Sequence, residues 1–74
     1  MTAEHAMRLI AKEFTKASAA HGVFHSPHEG FAVILEEVDE LKAEVWKRDT
    51  DHQAMAKEVV QVGAMALRFL VDLL

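Results

Sequence analysis

The chain has 74 residues, no cysteine and one proline, and its eight Lys and Arg against twelve Asp and Glu leave a net charge of −4. That length allows one domain, residues 1–74, and the missing cysteines exclude disulfides and a thiolate zinc site. An acidic chain without a basic cluster speaks against a nucleic acid polymer as partner, because such binding depends on neutralising phosphates. It leaves room for a divalent cation.

The composition is that of a folded chain, with 51% hydrophobic residues and only three Gly and one Pro. A core this small needs long, well-packed helices, a partner chain, or both. Met1-Thr2-Ala3-Glu4-His5 carries no basic region followed by an apolar run, so no export signal is expected there. The apolar stretch from Val59 to Leu74 is interrupted by Gln61, Arg68 and Asp72, which argues against a membrane span. The expectation is a cytoplasmic protein without a membrane partner.

Three helices are expected. The first runs from about Ala3 to Ala20, capped by Thr2, with Glu4 in its first turn and Gly22 as a left-handed C-cap. Met7, Ile10, Ala11, Phe14 and Ala17 recur at helical spacing. After the short connection His21–Ser26, the run Ser26-Pro27-His28-Glu29 is a strong helix start. Ser26 caps, Pro27 suits the first helical position, and Glu29 reaches back to complete a capping box. The second helix is expected from Pro27 to Lys47, with Phe31, Ile34, Leu35, Val38, Leu41 and Val45 as its apolar stripe.

Arg48-Asp49-Thr50-Asp51 is the other polar break, and Thr50 with Gln53 predicts a second capping box. The third helix then runs from about Asp51 to the end. Met55, Val59, Val62, Ala66, Phe69 and Leu73 share one face, while Val60, Leu67 and Val71 lie well round the cylinder. Polar groups are confined to a strip of Lys57, Gln61, Arg68 and Asp72, with Glu58 at its edge. Two neighbours cannot cover a helix that is apolar over most of its circumference. The expected architecture is therefore all-α: a three-helix subunit in a homo-oligomeric bundle, dimer or tetramer.

The densest chemical feature is Leu35-Glu36-Glu37-Val38-Asp39-Glu40-Leu41, with Glu44 one turn on. On a helix Glu37 and Glu40 share a face, as do Glu36 and Glu40, and like charges at these spacings repel by a few tenths of a kcal/mol per pair. Such repulsion is tolerated on a solvated acidic face, or used to hold a hard cation such as Mg²⁺, which favours carboxylate oxygens. Glu58-Val59-Val60-Gln61 follows after 17 intervening residues. Antiparallel helices joined by a tight turn bring the two segments level, so Glu58 can face Glu37 and Glu40. Beside Val59 and Val62, its carboxylate needs compensation by a metal or by a lysine.

Glu36-Glu37-x-x-Glu40 followed by Glu58-x-x-Gln61 resembles the E-E-x-x-E and E-x-x-D signature of the MazG-like all-α nucleoside triphosphate pyrophosphohydrolases. The similarity extends over about Pro27 to Leu74 and departs from the pattern at Gln61, where the family usually has Asp. The resemblance implies a Mg²⁺-dependent enzyme, with Mn²⁺ as an alternative ion, that hydrolyses a (d)NTP to (d)NMP and pyrophosphate in a homo-oligomer. It implies Glu37, Glu40 and Glu58 as metal ligands with Gln61 in the fourth position. Glu36 and Glu37 are the implied catalytic carboxylates, Glu36 being a ligand, a supporting group or the base that activates water. Gln61 is neutral and accepts no proton at neutral pH. An impaired nucleotide- or metal-binding relative is therefore one alternative, and a structural oligomerisation module the other.

For substrate contacts, Arg68 lies two turns beyond Gln61 and suits phosphate oxygens, or else pairs with Asp72 four residues on. Lys57 is a weaker version of the same idea, and Phe24 either meets a nucleobase or packs in the core. His21, His25 and His28 have zinc-like spacing but are more simply solvated loop residues. Met55 and Met65 are core filler, and Trp46 is an anchor for packing or for an oligomer contact.

Overall fold

The computed structural model describes residues 1–74 and is all-helical, with three helices and no strands: α1 (Ala3–His21), α2 (Pro27–Val45) and α3 (His52–Leu73). Each helix starts where a short polar side chain satisfies amides that the helix itself leaves unpaired. Thr2 accepts from the His5 amide and Ser26 from the Glu29 amide.

At α3 the cap is Asp51, one residue later than the expected Thr50. Its carboxylate accepts from both the Gln53 and the Ala54 amides. An ionised acceptor at a helix N-terminus also interacts favourably with the helix dipole, an advantage a hydroxyl lacks. The expected box at α2 is likewise shifted by one residue, since Glu29 accepts from the amide of His25 rather than of Ser26. α2 stops at Val45 with Trp46 as its C-cap, two residues short of Lys47. α1 ends at Gly22, whose φ of +73° is a conformation that only glycine adopts freely.

α3 is the central element. α1 and α2 each pack on it and not on each other. The α2–α3 seam is tight at Gly30, where a Cβ would lie 2.7 Å from the Phe69 ring. Around it Ala17, Phe24, Ala64 and Met65 form the small core, bordered by Phe14, Val33, Ile34, Phe69 and Leu73.

This arrangement decides how two faces lie. In the polar strip of the third helix Lys57 is exposed, but Arg68 is buried and Gln61 and Asp72 are half-buried, because this side of α3 floors a trough between α1 and α2. The expected apolar stripe of α2 divides. Ile34 and Leu41 face inward with Glu37 and Glu44, whereas Phe31, Leu35, Val38 and Val45 stay exposed. Val59 and Leu70, on the side of α3 opposite Gln61 and Arg68, are exposed as well.

Candidate active site

Glu37 and Glu40 stand on α2 and Glu58 on α3, and one carboxylate oxygen from each lies within 4.8 Å of the others. The antiparallel hairpin of α2 and α3 makes this possible, because it sets the middle of one helix level with the early turns of the next. Three carboxylates at this range repel strongly. None is paired with a basic side chain: the nearby Lys47 binds Glu44, at 2.7 Å. Glu37 Oε2 is buried with no hydrogen-bond partner.

The proton affinities register the strain. Burial, then the adjacent Glu40 carboxylate, with smaller contributions from Glu58 and Glu36, raises the Glu37 carboxyl to about 7. Glu58 is also raised, first by burial and then by Glu40, with Lys57 acting the other way. A hard divalent cation would relieve both effects. It would supply positive charge among three oxygen donors and occupy the unpaired Glu37 oxygen, so the donor set fits Mg²⁺ or Mn²⁺.

Glu36 is exposed and has no hydrogen-bond partner. It lines a cavity of about 480 Å³ together with Glu37, Gln61, Glu13, Phe24 and Arg68. This is the trough, walled by α1 and α2 and floored by α3. Gln61 and Glu13 also border a second groove, of about 410 Å³, between α1 and α3. There Lys57 is joined by Lys12 and Lys16. No carboxylate pairs with any of these three lysines.

Of its two expected roles, Arg68 does not take the ion pair with Asp72 along α3. Its Nη2 donates to the Gly22 carbonyl at 2.8 Å, its Nη1 to the Met65 sulfur at 3.3 Å, and its guanidinium lies 4.2 Å from the centre of the Phe24 ring. Asp72 accepts from the Phe24 amide at 2.9 Å. Two α3 side chains one turn apart thus clasp the α1–α2 linker onto the trough floor. Phe24 is only 4% exposed and one ring face is taken by Arg68, so it is a core residue at the cavity wall.

His21, His25 and His28 do not converge as ligands, and the His25 ring lies 3.4 Å from the Glu29 carboxylate. Asp39 is exposed and stands apart from the acidic group. Glu44 is the carboxylate that the motif reading passed over. It is half-buried, its Oε2 is unpaired, and it contributes to the raised proton affinity of Glu58. Its signal in the sequence was the continuation of the Glu37–Glu40 face by one more turn.

Comparison with family models, curated proteins and solved structures gives no match. No helix is long and apolar enough to cross a membrane.

Proposed function

We propose that this chain is the subunit of a cytoplasmic, Mg²⁺-dependent nucleoside triphosphate pyrophosphohydrolase of the MazG-like type, active as a homo-oligomer. The observation that carries the reading is the convergence of Glu37, Glu40 and Glu58 from two helices, without a basic partner, on one point. Carboxylates this close repel one another, and the half-buried Glu37 and Glu58 are costly without a counter-charge.

Bound there, a divalent ion neutralises phosphate charge and lowers the pKa of coordinated water. The chain's own residues do the rest. Glu37, Glu40 and Glu58 orient the ion. Glu36, exposed at the trough and unpaired, takes the proton of the water that attacks the α-phosphorus, so that the bond to the pyrophosphate leaving group breaks. Gln61 offers its amide oxygen where relatives of this type carry a carboxylate. Lys57, with Lys12 and Lys16 in the adjoining groove, offsets the charge of the phosphate tail.

The oligomer is proposed from the exposed apolar side chains. Phe31 is 61% exposed, Leu70 59% and Trp46 74%, with Leu35, Val38 and Val59 also open. An apolar surface of this kind marks an association site.

The test is pyrophosphate release from a panel of (d)NTPs with Mg²⁺. Product is expected, and its loss on Glu40→Gln. The neutral Gln61 favours a second reading, in which nucleotide binds without turnover. Under that reading no pyrophosphate appears, Mg²⁺ with nucleotide still raises Tm, and Gln61→Asp restores release.

A further inference from the structure

Arg68 is 3% exposed and permanently charged, yet no carboxylate pairs with it. Of its five guanidinium donors only two are engaged, one by the Gly22 carbonyl and one by the Met65 sulfur, and its Nε is buried without a partner. A buried cation this poorly compensated calls for an acceptor, and the guanidinium forms part of the wall of the 480 Å³ cavity.

The same cavity carries three carboxylates that no side chain or amide occupies, Glu13, Glu36 and Glu37, together with the free amide of Gln61. Those carboxylates repel a phosphate group that arrives without a metal. Position along α3 points the same way. Arg68 lies ten residues beyond Glu58, about 15 Å at about 1.5 Å per residue. Of the acidic group only Glu37 reaches this cavity, so a nucleotide whose phosphates are held at that group can place its base beside Arg68.

We propose that this cavity seats the nucleobase, with the Arg68 guanidinium donating to a ring carbonyl and Glu13 accepting from an exocyclic amine. The inference rests on the nucleotide reading above and gives it a substrate class. Cytosine and guanine carry both a carbonyl and an amine. Thymine and uracil lack the amine, and adenine lacks the carbonyl. Cytosine- and guanine-bearing nucleotides are therefore preferred, by about tenfold for each hydrogen bond of about 1.4 kcal/mol that a rival leaves unmade. The Phe24 ring beneath the guanidinium holds it at the wall.

The experiment uses metal-free protein and nucleosides without phosphates, followed at the Arg68 Nε–H resonance by ¹⁵N-edited NMR. Cytidine and guanosine are expected to shift that signal, with thymidine and adenosine at least about tenfold weaker. Inorganic pyrophosphate is expected to leave it in place. The variant Glu13→Ala removes the amine acceptor without touching the linker clasp. It is expected to weaken cytidine by about tenfold while the amide spectrum shows the fold intact. The proposal is overturned if no nucleoside moves Arg68, if pyrophosphate alone moves it, or if the Glu13→Ala variant binds cytidine unchanged. Neither metal nor turnover enters the measurement. A protein that binds cytidine at Arg68 but hydrolyses nothing keeps the cavity and loses the enzyme, and one that hydrolyses triphosphates with Arg68 silent does the reverse.

Discussion

The two sides of α3 invert the usual order of a small helical protein. The side facing the trough is polar, with Gln61, Arg68 and Asp72, yet it includes the most buried charged residue of the chain. The opposite side is apolar, with Val59 and Leu70, and lies open. A monomer designed only for stability would do the opposite. The difference teaches that burial here is shared between two tasks. The flanking helices are spent on enclosing a charged cavity, which leaves the back of the central helix uncovered.

The sharpest way to break this contrast is to discharge the acidic group. Glu40→Gln is expected to lower hydrolysis by about two orders of magnitude or more, about 3 kcal/mol in barrier. The same substitution should raise the Tm of the metal-free protein, because it removes repulsion worth a few tenths of a kcal/mol per neighbour. A variant with lower rate and lower Tm together would mark Glu40 as a structural residue.

Next in size is the open side. Leu35→Glu with Leu70→Glu places carboxylates on surface that the isolated subunit leaves exposed, so the subunit should still fold. Burying them unpaired between subunits costs about 2 kcal/mol or more, which weakens association by about thirtyfold or more. Sedimentation velocity is expected to show smaller particles for the variant than for the parent at equal concentration. Identical particles would place the interface elsewhere.

A third test weighs the clasp. Arg68→Ala removes a charged hydrogen bond worth about 1.5–3 kcal/mol and a cation–π contact worth about 1. Release of an under-compensated buried charge offsets part of that loss. The net expectation is about 2 kcal/mol lower stability in urea, and Asp72→Ala should lose about 1, the worth of one charge-assisted bond to the Phe24 amide. If neither substitution lowers stability, the linker is held by the Phe24 side chain alone.

The local part of this structure was legible in the sequence. Thr2, Ser26 and Gly22 mark helix ends because capping depends on a few consecutive residues. The pairing of Glu37 and Glu40 followed from helical spacing, and their approach to Glu58 from the shortness of the α2–α3 turn. Where two local signals competed, pattern matching chose the weaker acceptor, Thr50 over Asp51. The clasp was illegible for a different reason. Spacing alone pairs Arg68 with Asp72, but both take partners in the linker, 46 and 48 residues away in sequence. Periodicity likewise shows that α3 has a polar strip without showing which side the neighbours cover. Only the splay of α1 and α2 decides that the strip becomes a floor.

The smallest effect concerns the trough alone and depends on pH. In the folded chain Glu37 keeps its proton up to about 7, whereas unfolding returns it to its ordinary 4.5. Between those values the folded state binds more protons than the unfolded one, so stability falls as pH rises and is level above the upper value. Glu58 is raised as well and acts with the same sign. Glu37 is only partly buried, so solvent screening reduces the effect to the order of 1 kcal/mol. Metal-free protein is therefore expected to have a higher urea midpoint at pH 5 than at pH 8, and Glu37→Gln to flatten most of the difference. Mg²⁺ should act against this slope, since it binds the ionised carboxylates and its stabilisation grows as pH passes 7. A parent protein whose Glu37-dependent stability rises across this window would mean that the carboxylates already have a counter-charge within the chain. The trough would then be an ordinary salt-bridged surface, and the contrast between the two sides of α3 would lose its chemical meaning.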